Sequence, residues 1–382
     1  MRAQAEIIER IAGVPAAEWN ALDPSGNPFL QHAFLEALEV SGCVGGDSGW
    51  LPRHLVLRDD EGRLLGAVPQ YLKLHSWGEF IFDWSWAQSY ARAGLDYYPK
   101  LLSAVPFTPV TGPRLLVAED VDPQFRTRLA RLLLESARQS GASGAHVNFT
   151  TAEDQAALEQ AGFLRRHDCR FQWRNRGYRD FEDFLDRFRS DKRKKARRER
   201  RRVQEAGVEF RTLRGAEIDA ALWRTIFGFS ERTFLRHGNA HYLSPEFLAR
   251  VAGLMPDTII VTLAERAGVP IAAAIFFHGG GRLYGRYWGA AEHVDCLHFE
   301  ACYYQGIDYC IANGIEAFDP GTQGEHKLAR GFEPTLTHSA HWLAHPGFAT
   351  AVGGYLERER AGVDEYIAAA ADHLPFQRAV AR

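Results

Sequence analysis

Gly314-Ile315-Glu316-Ala317-Phe318-Asp319-Pro320-Gly321-Thr322-Gln323-Gly324-Glu325-His326-Lys327-Leu328-Ala329-Arg330-Gly331-Phe332 is the stretch on which the reading of this chain turns. An apolar, strand-like segment ends at Asp319, and a proline and glycine make a turn. Gln323, Glu325, His326, Lys327 and Arg330 then fall within eight positions. Loops at strand ends carry much of the chemistry of α/β proteins. A carboxylate, an imidazole, an ammonium and a guanidinium there form an enzyme-like grouping. The alternative is an ordinary solvated turn.

Working outward, the elements around this stretch occur twice. Leu55–Arg58 and Leu64–Tyr71 flank a turn at Gly62-Arg63, and Ile259–Ala264 and Val269–Phe277 flank one at Gly268. Both pairs predict a β-hairpin. A further strand is expected after each, over Glu79–Trp84 and Arg282–Trp288. Next comes a helix, Phe125–Arg138 in one half and Phe299–Ala312 in the other, each stopped by glycine (Gly141, Gly314). A short strand follows, Ala145–Phe149 or Ile315–Asp319, and Gly162-Phe163 or Gly331-Phe332 closes the unit. This repetition predicts an internal duplication: two α/β domains, 1–170 and 171–382, each a mixed sheet with packed helices.

Between the halves, Phe181, Phe184, Leu185 and Phe188 give helical spacing, with Asp180 as N-cap. The helical signal runs on to Gly207, so 180–206 reads as one segment. Its residues 192–202, KRKKARRERRR, hold nine Lys/Arg, one Glu and one Ala. The net charge of the chain is −3; this run carries +8, so the rest is −11. Without an apolar stripe, the run is expected to project into solvent or lie against something negative.

Composition sets the frame. The 382 residues suit about two domains. With 46% hydrophobic and 24% charged residues, the chain reads as globular. No apolar run approaches the ~18 residues of a membrane span. The N-terminal stretch Met1–Arg10 has acidic residues where a signal peptide needs an apolar centre, which predicts a cytoplasmic protein. The five cysteines are scattered without a C-x-x-C, which fits a reducing compartment. No zinc pattern completes His293-Val294-Asp295-Cys296-Leu297-His298, so no metal is expected.

The tandem halves, the basic helix and the Gly-Thr-Gln-Gly-Glu-His-Lys-Leu-Ala-Arg-Gly-Phe segment resemble the N-acyltransferases labelled "peptidoglycan biosynthesis/recognition". These are Fem-like relatives within the GNAT fold group. His298–Gly306 and Asp83-Trp84 through Tyr97-Tyr98-Pro99-Lys100 to Gly112 share in the resemblance. It covers most of the chain. It implies tandem GNAT-like domains, a substrate cleft, and transfer of an acyl or aminoacyl group to a small-molecule or peptide amine. No permanently bound cofactor is implied; the acyl donor is a cosubstrate, aminoacyl-tRNA or acyl-CoA. The R/Q-x-x-G-x-G/A loop that holds the pyrophosphate of acetyl-CoA is absent before both helices. Fem-type enzymes also lack it and draw on aminoacyl-tRNA. Lys192, Arg193, Lys194, Lys195, Arg197, Arg198 and Arg201 are the candidate tRNA contacts.

Amide formation needs a base, an oxyanion partner and alignment of two substrates. Asp319, Glu325 and His326 are the candidate bases, with His326 favoured by its near-neutral reference pKa. Lys327 is the candidate oxyanion or donor-anion partner, and Arg330 and Gln323 the candidate binders of substrate. His298, Glu300 and Tyr303 are expected to line the cleft, Glu300 and Tyr303 sharing a helix face. Arg286 and Trp288 would form an acceptor wall. Asp83, Trp84, Tyr98 and Lys100 would form the other. An acyl-CoA-dependent enzyme of the same fold and a non-catalytic RNA- or precursor-binding module are the competing readings.

Overall fold

The computed structural model describes residues 3–322 and 324–377. The chain forms two compact units. One holds the residues up to Cys169 together with Leu336–Glu365; the other holds Arg170–Thr335 together with the residues from Tyr366.

The first unit contains two sheets. Strands β1 (Ala3–Ile8), β3 (His54–Asp59), β4 (Leu64–Val68) and β7 (Leu116–Val117) form an antiparallel sheet in the order β1-β3-β4-β7. Strands β2 (Trp50–Pro52), β5 (Tyr71–Lys73), β6 (Lys100–Ser103) and β8 (Gly144–Thr150) form the other, and β8 also pairs with the later part of β15 (Glu333–Leu343). Its helices are α1 (Ala16–Asn20), α2 (His32–Val40), α3 (Trp84–Arg92), α4 (Phe125–Gln139) and α5 (Ala152–Gln160). Most of α12 (Pro346–Asp372) joins them. The predicted hairpin over 55–71 forms as β3–β4. The strand expected over Glu79–Trp84 does not form: the segment is a loop, and Asp83 stands at the N-terminus of α3. The parallel partner of β8 is instead β6. The apolar run Phe80-Ile81-Phe82 misled because the flanking carboxylates of Glu79 and Asp83 turn inward to Lys100, a contact no local pattern reports.

In the second unit, β10 (Val208–Arg214), β11 (Ile259–Arg266), β12 (Val269–Gly279) and β13 (Arg282–Ala290) run antiparallel in sequence order. Strand β14 (Ala317–Asp319) joins β13 in parallel, and the later part of β9 (Leu164–Arg174) pairs with β14. The helices are α6 (Phe181–Asp186), α7 (Ser190–Glu205), α8 (Ala220–Arg236), α9 (Pro245–Leu254), α10 (Leu297–Phe299) and α11 (Gln305–Ala312). Residues Glu300–Tyr304, between α10 and α11, form a π-helical turn.

Asp180 caps α6 by accepting the Asp183 N–H, as expected. The single helix expected over 180–206 is two: the chain breaks at Arg187–Arg189 before α7, and Gly207, at φ +71°, ends α7. Phe181, Phe184, Leu185 and Phe188 enter an aromatic core with Trp173, Phe276, Phe318 and Phe332. Each such ring contributes on the order of 1.5–3 kcal/mol by leaving water. Gly306 lets α11 close on this core: a Cβ there would sit 2.6 Å from the Phe318 ring.

Helix α7 takes the second of its two expected courses and lies against acids, Arg197 meeting Glu182 and Arg200 meeting Glu300 and Asp308. It is no solvent arm. Ala196, Glu199 and Val203, at i, i+3 and i+7, are buried on one face. Its stripe is a small residue, a valine and a carboxylate, so an apolar count misses it.

Candidate functional site

Strand β14 delivers Asp319 to the start of the turn, in register with Tyr284 of β13. The Asp319 carboxylate accepts the Gly321 N–H at 2.9 Å. Gly321 has φ +88°, and a Cβ there would lie 2.9 Å from the Gly285 carbonyl, so only glycine fits the close approach. Lys327 then stitches the turn shut. Its Nζ donates to the Gly321 and Thr322 carbonyls, both at 2.8 Å, and the side chain is buried. Burial, set against the Asp319 charge and reinforced by Arg170, lowers its pKa to about 8. Gln323 lies outside the described residues.

Residues Glu325–Arg330 wind into a 3-10 helix. The His326 ring meets Tyr303 from the π-helical turn, Nε2 to Oη 2.9 Å. His298 is 5.4 Å from the Tyr303 ring and 6.3 Å from the His326 ring, centroid to centroid, and Trp288 lies 5.5 Å beyond it. Burial, then the Arg330 and Lys327 charges, lowers the His326 pKa below its usual value. Burial, followed by His326 and Lys327, pushes His298 down to about 4. Burial raises the Tyr303 pKa. At neutral pH the centre is therefore two neutral imidazoles and a protonated phenol, framed by cations.

Arg330 is buried beneath this group. Its Nη1 donates to the His326 carbonyl at 2.7 Å, and its Nη2 contacts both Glu199 oxygens at 2.8 and 2.9 Å. Its guanidinium lies 3.4 Å from the centroid of the Phe299 ring. Tyr304 Oη donates to Glu199 at 2.6 Å. The next residue of α7, Arg200, reaches Asp308 at 2.6 Å and Glu300 at 3.1 Å.

The structure thus brings together His298, Tyr303, His326, Lys327 and Arg330, with Asp319 at the turn. It separates others. Glu300 and Tyr303 do not share a face: the π-helical turn widens the spacing, sending Glu300 to Arg200 and Gln305 and Tyr303 to His326. Glu325 points away and accepts the Tyr366 hydroxyl at 3.0 Å. Arg286, the extra residue of a bulge in β13 opposite the step between Ile275 and Phe276, is not among the separated: its charge acts on Lys327 and feels that of Asp319. Bulges re-aim side chains beside sites. Arg330, expected to meet an anionic substrate group, is instead committed to Glu199.

In the first unit, Asp83 and Lys100 are not surface walls. Lys100 is fully buried and donates to Ser76 and Glu79, both at 2.8 Å, and to Asp83. Burial would raise the Asp83 pKa, but the Lys100 charge outweighs it and holds Asp83 at about 2. Glu79, buried beside the same ammonium, rises to about 7. Tyr98 joins through Ser76 at 2.9 Å, and Trp84 packs edge-on to Trp77.

On α7, Lys194, Lys195, Arg197, Arg198 and Arg201 are exposed, while Lys192 and Arg193 are half-buried. Arg193 pairs with Asp186, Arg197 with Glu182 and Arg201 with Glu205. Sequence reasoning missed Glu199 and Arg200. The available signal was a lone acid inside a basic run. Among the described residues, no group of three or more His, Cys, Asp or Glu side chains could hold a metal, and no helix is long and apolar enough to cross a membrane.

The family described as peptidoglycan biosynthesis/recognition, FemAB-like, matches residues 10–378. The chain belongs to the FemAB-like family. Among solved structures, FemX is similar at 11% identity and TM-score 0.54, over 92% of this chain and 100% of that one. The C-terminal domain of a putative lysylphosphatidylglycerol synthetase from Agrobacterium fabrum is similar at 10% identity and TM-score 0.54, over 88% and 94%. A conserved protein of unknown function from Bacteroides thetaiotaomicron reaches TM-score 0.50 at 11% identity, over 89% and 99%. These likenesses show the fold alone: a mixed α/β architecture shared with FemX over nearly the whole of both chains. No curated protein matches the chain.

Proposed function

We propose that this FemAB-like chain is an N-acyltransferase that moves an acyl or aminoacyl group from an activated donor to an amine. The observation that carries the reading is the Tyr303–His326 pair, held at a strand-end turn and kept neutral by its surroundings. The amine nitrogen attacks the donor carbonyl, and the nitrogen–carbon bond forms as its proton passes to His326. The tetrahedral intermediate then collapses, and the donor's oxygen or sulfur departs with a proton. In the tautomer with hydrogen on Nε2, His326 Nδ1 is the base and the Tyr303 hydroxyl is left to donate to the oxyanion. Lys327 keeps the turn closed and adds positive charge beneath it.

Aminoacyl-tRNA is the preferred donor. The exposed Lys194, Lys195, Arg198 and Arg201 on α7 support it, since such a face attracts a phosphate backbone. The family description makes a peptide amine of a peptidoglycan precursor the first acceptor to try. Acyl-CoA is the donor to run beside it.

The test is amide formation by purified protein supplied with aminoacyl-tRNA or acyl-CoA and an amine panel. His326→Ala is expected to lower kcat/KM by about 10²-fold or more, and Lys327→Ala to lower it as well. Activity of both variants within a few-fold of the parent sinks the assignment. RNA binding with no turnover on any donor would favour a binding module.

A further inference from the structure

Glu199 is 6% exposed, yet it sits within a run of nine Lys/Arg. A buried carboxylate on so basic a helix is costly unless fully paired. Its pairing is complete and specific. Arg330 reaches both oxygens, Tyr304 donates to one, and Lys195 stands 4.0 Å away at the surface. Arg330 in turn holds the His326 carbonyl, and its plane rests on Phe299, whose ring is 5.7 Å from that of His326.

We propose that Glu199 is the positioning residue of this site: through Arg330 it fixes where His326 sits against Tyr303, and it offsets part of the Arg330 charge that opposes protonation of His326. The basic helix is then a working part of the site. The inference rests on the reading of His326 as the proton acceptor, but its test needs neither donor nor acceptor.

The groups that face His326 are Lys327 and Arg330 from its own segment, Tyr303 and His298 from the helical stretch 297–304, and Glu199 from α7 by way of Arg330. Among them only Glu199 is an anion. Its loss leaves the Arg330 charge uncompensated.

The experiment is histidine side-chain NMR on the full chain across pH, with His326 assigned by the signal lost in His326→Gln. In Glu199→Gln the His326 midpoint is expected to fall by about 0.5 unit or more, with a changed tautomer pattern. Glu199→Asp keeps the charge but withdraws it by one methylene, so its midpoint is expected to lie between the two. A purely structural Glu199 would lower Tm in both variants and leave the midpoint where it was; that result overturns the proposal. If Glu199→Gln does not fold, Glu199→Asp is read alone, with a lowered midpoint supporting the proposal and an unmoved one overturning it. A silent His326→Ala in the transfer assay would sink the catalytic reading while leaving this titration standing.

Discussion

His298 shows what burial does to a single ionisable group. Its pKa of about 4 in the folded protein lies below the ordinary 6.5. The folded state therefore binds fewer protons than the unfolded chain between those values. The stability this imidazole allows is present above pH 6.5 and is lost as pH falls toward 4. Thermal melts from pH 7 to pH 4.5 should show Tm falling, and His298→Gln should flatten that fall. An identical slope in the variant would exclude His298 as a contributor. At this scale the sequence was half legible. The cluster from Asp319 to Phe332 announced itself by composition, and His326 and Tyr303 do meet. Glu199 and Arg200 did not announce themselves, because their partners lie about 100 residues away or more. Nor did the split of Glu300 from Tyr303, which depends on one extra residue in a helical turn.

Among the elements, α8 and β13 pack backbone against backbone at Gly289. A Cβ on Gly289 would stand 1.8 Å from the Phe229 carbonyl oxygen, a backbone atom that cannot step aside. Gly289→Ala is expected to drive the two apart and cost on the order of 1–3 kcal/mol or more. Urea unfolding reads it as a lowered midpoint, and an unchanged midpoint would mean that the contact yields freely. Because β13 also carries the Arg286 bulge and Trp288, that displacement should reach the site as well. Hairpins and amphipathic helices were readable here, since their periodicity is local. The buried face of helix α7 was not: it holds a carboxylate, and hydrophobic periodicity gives no weight to a charge whose partner is elsewhere in the chain.

For the molecule as a whole, the decisive fact is the order in which the chain is used. The first unit takes residues up to Cys169 and then Leu336–Glu365. Those returning residues supply the antiparallel partner of β8, from His338 to Leu343, and the buried Ala340, Leu343, Val352 and Leu356. Four buried apolar side chains amount to several kcal/mol, much of the ~5–15 kcal/mol that holds a domain together. A chain cut after Thr335 should lose the folding transition of its first unit, and limited proteolysis should digest 3–169 while the full chain resists. Equal resistance would show that the returning strand is dispensable. The hairpins, the helices and the short strands after them were visible in the sequence, though the strand read at Glu79–Trp84 does not form. The return of 336–365 was not, because β15 and α12 look locally like any other strand and helix.

The second unit is also closed from its far end. Arg189 donates its backbone N–H to the Pro375 carbonyl, and Phe188 bridges to Phe376. Both cores therefore wait on residues that follow Thr335. On a translating ribosome, where most domains settle one after another from the front, neither half can complete until residues beyond Thr335 have emerged. Strand β8 stays without its antiparallel partner from β15 for most of that time, so a stop codon just after Thr335 should be as damaging as one near the start, and nascent chains of this protein should lean on chaperones.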